Sequence, residues 1–416
     1  MKTFRKIVFW SHLVVGVLVA AVVVIMSATG VLLTYQKQMQ YWADTRGLAG
    51  GPPTPAAPRL SADSLLATVQ TATNTAPAAL LVRRSADAPA EITLGRDRKV
   101  FVNAYTGLVL GEGSAAMRNF FRSVTAWHRT LAATGDRRAV GRSFTGAANL
   151  GFFFIVVSGL FLWWPRTWTR ARLRNIALFR RGTSGKARDF NWHNTIGVWS
   201  FIPLVAVVGS GVVMSYPWAN ALVYRVVGEQ PPAPQARPGE RAPSDGSRRP
   251  SAATMTSALS IDSALAIGAA QMPDWRSINI QLPSPSAKTL TASLDGGSGG
   301  QPQLRGSLVI DRATASISRW EPFSTQTAGR RLRSILRFAH TGEVLGLTGQ
   351  TIAGLVSLGS VILAWTGIAL AFRRLVTRRR RAGRRVEVPQ GASRPELEPA
   401  GALASKRQRR SATAIG

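Results

Sequence analysis

Only four histidines occur in the 416 residues, at positions 12, 128, 193 and 340, and each lies in or beside a long apolar run. Imidazole is the side chain that ligates metals, passes protons and changes charge near neutral pH. The chain has no cysteine, which excludes thiolate metal sites, iron–sulfur clusters, thiol catalysis and covalent haem attachment through C-x-x-C-H. The same absence fits an oxidising exterior. No nucleophile–base pair, Walker loop or H-E-x-x-H motif supports a hydrolase or a nucleotide-driven pump, and Gly296 to Gly300 reads as a flexible loop, not a phosphate cradle.

The elements that must position these histidines are membrane spans. Crossing the hydrocarbon core takes ~20 mostly apolar residues at ~1.5 Å rise each. The runs Ile7 to Tyr35, Gly146 to Trp164, Phe190 to Met214 and Gly349 to Phe372 meet that requirement. Lys2, Arg5 and Lys6 ahead of the first run would also suit a secretory signal. The run exceeds the ~7–15 residues of a signal core and has no clear cleavage pattern before Tyr35, so it reads as a retained anchor.

A formal charge of +32 raises the question of nucleic acid. The clustered cations lie from Arg166 to Arg188, between spans two and three, and from Arg373 to Arg385, after span four. Short basic segments at span ends mark the cytoplasmic side, and anionic lipid accounts for them. Both termini are therefore expected inside a bacterial inner (cytoplasmic) membrane, with membrane lipid and no nucleic acid as partner. Residues 36–145 and 217–348 are expected outside.

The chain reads as two copies of span, external domain, span. His12, Gly16, Gly30 and Tyr35 recur at the spacing of His193, Gly197, Gly211 and Tyr216, and Gly146 and Gly159 at that of Gly354 and Gly367. Ser61-Ala62-Asp63 and Ser260-Ile261-Asp262 each open an apolar helical run with a serine cap. A strand, turn, strand pattern from Val100, with Asn103 in its turn, parallels one from Leu308, with Asp311. Each external domain is expected to be a small α+β module, and the halves parallel repeats about an axis along the membrane normal. The expected division is span one at 1–35, module one at 36–114, an interfacial helix and turn at 115–145, span two at 146–165 and a basic cytoplasmic loop at 166–189. Span three follows at 190–216, a linker and module two at 217–326, a second interfacial helix and turn at 327–348, span four at 349–372 and a basic tail at 373–416. Proline and glycine mark flexible linkers from Gly50 to Pro58 and from Pro231 to Pro250, and the tail from Val388 reads as disordered.

Topology sorts the histidines into pairs. His12 and His193 lie at the cytoplasmic ends of spans one and three, whereas His128, within Ala115 to Ala133, and His340, ending Thr327 to His340, lie outside. A lone interfacial histidine calls for no functional reading, but ionisable groups at membrane depth are expensive, and each pair draws its members from equivalent places. Two imidazoles are too few for zinc, which takes three or four ligands. Haem iron asks the protein only for its two axial positions, so two non-covalent haem b groups are expected, one on His12 with His193 and one on His128 with His340. Gly16 and Gly197, one turn beyond two of the ligands, would let a flat macrocycle approach the backbone. Two axial imidazoles leave the iron no open position, which favours electron transfer over oxygen chemistry. Arg122, Arg129, Arg333 and Arg337 flank the outer histidines and suit haem propionates or lipid headgroups alike. Trp163, Trp164, Trp192, Trp199, Trp218 and Trp365 read as interfacial anchors and bundle packing, and Asp189 and Glu343 as solvated charges.

Five sequence features carry a resemblance: His12-x-x-x-Gly16, W-H-R-T-L at Trp127 to Leu131, S-G-L-F-L-W-W-P from Ser158, W-H-N-T-I-G from Trp192 and H-T-G-E-V-L-G-L-T-G from His340. Together they resemble the PepSY-associated transmembrane family, often described as iron-regulated membrane proteins, up to about Arg385. That family includes inner-membrane ferric-siderophore reductases with haem between the helices. The resemblance implies two PepSY-like external modules, haem ligation by His12, His193, His128 and His340, and periplasmic reduction of a ferric siderophore or other ferric chelate by an unidentified electron donor. Leu13 and Gln350 depart from it, standing where a basic residue and an arginine are frequent.

The expected fold is thus a mainly α membrane protein, a four-helix transmembrane bundle of two parallel repeats with two periplasmic α+β PepSY-like modules. The leading function is a haem-containing electron conduit of the ferric-chelate reductase type. Its alternative is a non-enzymic interaction protein whose modules bind a periplasmic partner or protease while the histidines merely pack. A metal or siderophore transporter ranks third, because the spans hold few charges to form a pathway.

Overall fold

Inside a bilayer the backbone has no water to bond, so an apolar run that crosses one folds as a helix that satisfies itself. The computed structural model describes residues 2–386 apart from Arg96, Asp97, Arg166, residues 233–258 and Pro285. Most of the expected linker from Pro231 to Pro250, and the tail from Val388, lie outside the described residues. Among the described residues four helical stretches are long and apolar enough to cross a membrane: Thr3–Leu33, Arg137–Trp163, Gly185–Ser215 and Glu343–Thr377. This is a membrane protein with four apolar helices.

In chain order the helix α1 (Lys2–Leu33) is followed by α2 (Gln36–Thr45), α3 (Ala62–Thr73), the strands β1 (Pro77–Arg83), β2 (Ala90–Leu94), β3 (Arg98–Val102) and β4 (Val109–Gly111), then α4 (Ala115–Thr130) and α5 (Arg137–Trp163). A short helix α6 (Arg170–Ala177) leads to α7 (Gly185–Ser215), α8 (Pro217–Val226), α9 (Ile261–Gln271), the strands β5 (Ser277–Gln281), β6 (Thr289–Asp295), β7 (Arg305–Asp311) and β8 (Ile317–Pro322), α10 (Ala328–His340) and α11 (Gly346–Val386). The helix α5 begins before the apolar run at Gly146, because Arg137 to Arg142 propagate a helix while their long side chains reach polar surroundings. Residues up to Leu370 form one unit, and the second, from Ala371, contains the basic end of α11.

All eight strands lie in one antiparallel sheet of order β4-β3-β2-β1-β5-β6-β7-β8. The sequence reading kept the strands in two modules; instead β1 pairs with β5, Leu81 opposite Asn279. Apart, each of these strands would present an open edge of unpaired backbone groups, and their pairing removes both. One sheet face is apolar, with Leu80, Ile92, Ile280, Leu294, Leu308 and Ile310 fully buried in the cluster shared with α3 and α9. The helices α3 and α9 cap each other as well as themselves. Ser61 and Ser260 accept from Ser64 and Ser263 backbone N–H groups, while Asp262 accepts from the Ala62 N–H at 2.7 Å and Asp63 from the Ile261 N–H at 3.2 Å. Such reciprocal capping ties the two halves of the helical layer together.

Carboxylates also fasten the sheet end to the bundle. Asp44, at the end of α2, accepts from the Ser114 N–H at 2.7 Å and pairs with Arg118 at 2.6 Å, fixing the start of α4. Glu229, beyond α8, does the same for α10 through the Thr327 hydroxyl at 2.8 Å and the Gly329 N–H at 3.1 Å. Both use the positive end of a helix to hold an anion.

Several expected flexible or solvated groups are in fact packed. Glu343 is 7% exposed and pairs with Lys37 at 2.8 Å, and Asp189 is 3% exposed beside Arg188. A neighbouring cation is what allows each carboxylate to leave water. The loop from Gly296 to Gly300 is part of the Glu343 site: Gly299 C=O accepts from Lys37 at 3.0 Å, and Gly300 lies so close to Glu343 that no side chain fits there. At the first linker, Asn103 Nδ2 holds the Ala49 and Gly51 carbonyls at 2.7 and 3.1 Å.

Glu91 on β2 is buried between Arg83 at 3.1 Å and Lys99 at 2.5 Å. Burial opposes its ionisation, but Lys99 and Arg83 outweigh that and hold the carboxyl below the usual carboxylate range. A depressed folded-state pKa stabilises the fold above the unfolded pKa, and the contribution is lost as pH falls through the folded one. Hydrogen-exchange protection across β1 to β3, taken relative to the intrinsic rate at each pH, should therefore be high at neutral pH and fall on acidification. A Glu91→Gln variant should lack that acid step and be weaker by about 1–3 kcal/mol at pH 7. An unchanged acid profile in the variant would remove Glu91 from the account.

Candidate functional site

Two of the histidines sit on spans and two on the short helices at the sheet end. His12 is on α1 and His193 on α7; His128 lies in the last turn of α4, and His340 closes α10. The α4 helix ends abruptly because Leu131 and Ala132 both take positive φ, at 51° and 58°. After α10 the stop is Gly342, at φ +74° and in backbone contact with Gly349, a position no side chain tolerates.

The structure brings together one of the expected pairs, His128 with His340. The rings of His128 and His340 face one another with centroids 6.2 Å apart and planes at 64°. His12 and His193 stand on separate spans, each bonded to a further one. Every Nδ1 has a partner on another helix: Ser158 Oγ at 2.9 Å for His12, Thr366 Oγ1 at 3.0 Å for His193 and Thr29 Oγ1 at 3.0 Å for His128. His340 Nδ1 lies 2.8 Å from the Val207 carbonyl oxygen and 3.4 Å from Ser210 Oγ. Among the described residues no three His, Asp or Glu side chains gather at one point. The donor set of each pair is thus two imidazoles, which suits a metal that brings its remaining ligands with it.

The glycines beside the rings are not those expected. Gly16 and Gly197 face Ile155 and Leu363, 3.9 and 3.8 Å from where a methyl would stand. It is Gly159 on α5 and Gly367 on α11 that lie flush against His12 and His193, with room for a methyl only 3.4 Å from each Cε1, and Gly30 similarly approaches His128 at 3.7 Å. The hydroxyls and these close glycines are the site residues that the sequence reading missed. Their signal was present, since Thr29 and Ser210 follow His12 and His193 at one spacing, and Ser158 and Thr366 each directly precede one of the matched glycines.

The arginines divide. Arg333 is half-buried and its Nε donates to Asn220 Oδ1 at 2.5 Å; Arg337 lies over the Phe338 ring at 5.6 Å; Arg122 and Arg129 are exposed on α4. Gln350 is buried, accepting from Gln38 Nε2 and donating to the Thr34 carbonyl, both at 2.8 Å, so it joins α11 to the end of α1.

A family model described as the PepSY-associated TM region matches residues 9–374, a stretch that holds all four histidines. No curated protein matches the chain.

Outside the spans, burial and then the facing His340 push His128 down to about 4, and burial lowers His340 too. Both rings are therefore neutral at pH 7, with a lone pair to offer. In protein purified free of any cofactor, nuclear magnetic resonance from about pH 8 to pH 5 should show no protonation of His128. A midpoint near the ordinary histidine value would place that ring in water and dissolve the pair.

Proposed function

The chain belongs to the PepSY-associated TM family, and from that premise we propose that it is a haem-containing electron conduit reducing a ferric siderophore or another ferric chelate at the periplasmic face of the inner membrane. The observation that carries this reading is the pair of facing imidazoles whose Nδ1 atoms are already engaged, which leaves Nε2 on each ring for a metal. A metal–imidazole bond of ~2 Å and a nitrogen ~1.1 Å from its ring centre put two rings on one metal ~6 Å apart, centre to centre. The 6.2 Å between His128 and His340 fits that requirement. Glycines flush against three of the rings supply the flat walls that a macrocycle needs.

Haem bound at both pairs supplies a one-electron path from one membrane face to the other. The protein's part is to hold and orient the four imidazoles. His12 and Thr29, the partner of His128, are both on α1, and the rise from position 12 to position 29 sets the two sites ~25 Å apart along the helix. Hard oxygen donors hold Fe(III) far better than Fe(II), so a single electron delivered to the chelate loosens the metal.

Equivalent residues at equivalent places support two parallel copies of one unit, each with a PepSY-like module. His12 and Thr29 match His193 and Ser210, Ser158 matches Thr366, and the β1–β5 pair divides the sheet evenly. The basic segments from Arg166 to Arg188 and from Arg373 support both termini in the cytoplasm. Reporter fusions after residues 60 and 250 should accordingly behave as periplasmic. Cytoplasmic behaviour at either would break the sorting of the histidines.

Protein purified in detergent should be red, with a Soret band and two haems per chain. Alanine at His12 or His193 should remove one haem, and alanine at His128 or His340 the other, because each iron loses one of its two protein ligands. Unchanged spectra and stoichiometry across the four variants would refute the assignment. A colourless wild-type protein would instead favour a module that binds a periplasmic partner.

A further inference from the structure

A side-chain hydroxyl has one proton to donate, and each of the four hydroxyls beside the histidines has a carbonyl of its own helix within reach to receive it. Ser158 donates to the Ile155 carbonyl at 3.3 Å, Thr366 to Ile362 at 2.8 Å, Thr29 to Ile25 at 2.6 Å and Ser210 to Val207 at 2.8 Å. An oxygen that spends its proton there offers the imidazole only lone pairs, and the ring nitrogen facing it then carries the hydrogen. We infer that Ser158, Thr366 and Thr29 are positioning residues that lock His12, His193 and His128 as the Nδ1–H tautomer and aim each Nε2 lone pair at the metal, the Val207 carbonyl doing the same for His340. This rests on the haem reading above for the identity of the metal, but not for the tautomer.

The consequence is electronic as well as geometric. An imidazole that donates from Nδ1 is richer in electrons at Nε2, which favours the ferric state and lowers the reduction potential of the iron it holds. The four hydroxyls do not contribute equally. His12 and His193 have Ser158 and Thr366 at 2.9 and 3.0 Å, while His340 has the Val207 carbonyl at 2.8 Å, nearer than the Ser210 hydroxyl at 3.4 Å. Removing Ser158 therefore strips His12 of its near acceptor and removing Thr366 takes one of two from His193, which also meets the Leu363 backbone, whereas removing Ser210 leaves His340 anchored on the backbone.

The test is a redox titration of the purified haem protein with electron paramagnetic resonance of its ferric form, haem and protein being quantified together. Ser158→Ala and Thr366→Val should shift the midpoint of the His12–His193 haem upward and change its low-spin signal. Ser158→Thr and Thr366→Ser should restore both, and Ser210→Ala should leave the other midpoint close to wild type. Full haem content with wild-type potentials in Ser158→Ala and Thr366→Val would overturn the inference, because hydroxyls that merely pack would have no effect on potential. If Ser158→Ala loses its haem, Ser158→Thr decides: retention at the wild-type potential supports positioning, and loss there too overturns it. Should the wild type bind no haem, the functional reading fails by itself and nitrogen-15 spectra of the histidines still judge this one. An Nδ1–H tautomer at His12 that becomes mixed in Ser158→Ala supports the lock; the same mixture in both proteins overturns it.

Discussion

A neutral imidazole between apolar helices has a proton on one nitrogen and a lone pair on the other, and an unmet polar atom there costs about 1–3 kcal/mol. Most of the arrangement follows from how those demands are met. Each Nδ1 is served by an atom of another helix, so every histidine fixes a relation between two helices: α1 with α5, α7 with α11, α4 with α1 and α10 with α7. The helix α1 takes part in two of these relations, with His12 and Thr29 ~100° apart around its axis. It cannot turn or slide to improve one without losing the other. Small residues are then favoured where the rings lie, and at Gly159 and Gly367 even a methyl would stand against the imidazole at 3.4 Å.

The two pairs are held by different means. His12 and His193 sit on long spans, and their separation depends on the packing of those spans alone. His128 and His340 ride on short helices whose starts are fastened by Asp44 and Glu229 and whose ends cross the next helix at Thr130 with Gly141 and at Gly342 with Gly349. The sheet reaches the same region through Lys37, Glu343 and the Gly299 carbonyl, and through Arg83 stacked on Tyr41 at 4.4 Å. The geometry of the sheet-end pair is thus set by the whole extramembrane layer, whereas the other pair is insulated from it.

Much of this was legible in the sequence where a single segment holds the information. Apolar length gave the four helices, the serine caps gave the starts of α3 and α9, and topology matched His128 with His340. What stayed illegible depends on register between segments. Nothing in the alternation of β1 or β5 says that Leu81 stands opposite Asn279, so the sheet looked like two. Gly16 follows His12 by one turn and was the natural candidate for a close approach, yet the glycine that lies against the His12 ring is Gly159 on another helix. Asp189 and Glu343 look solvated in isolation, and it takes partners from the fold, a cation among them, to make their burial tolerable. The hydroxyls escaped for a further reason: serine and threonine in an apolar run ordinarily bond back to their own helix, which these also do.

That double use explains why hydroxyls stand here at all. A carboxylate would be a stronger acceptor for Nδ1–H and is a common partner of metal-bound histidine. Within a bilayer it would bring a buried charge, expensive unless a cation came with it. A serine or threonine brings no charge, satisfies its own proton on the preceding turn and leaves an oxygen lone pair where the ring needs one. Asp44, Glu229, Glu91 and Glu343 show that this chain does use carboxylates as fasteners, but outside the apolar stretches of its spans and with a cation or a helix start to receive them. Between the spans it uses hydroxyls, and at the sheet end, where α10 meets α7, a backbone carbonyl takes the nearest place. The solvent around each histidine has selected the kind of acceptor it has, and through that acceptor the basicity of the nitrogen left facing its partner.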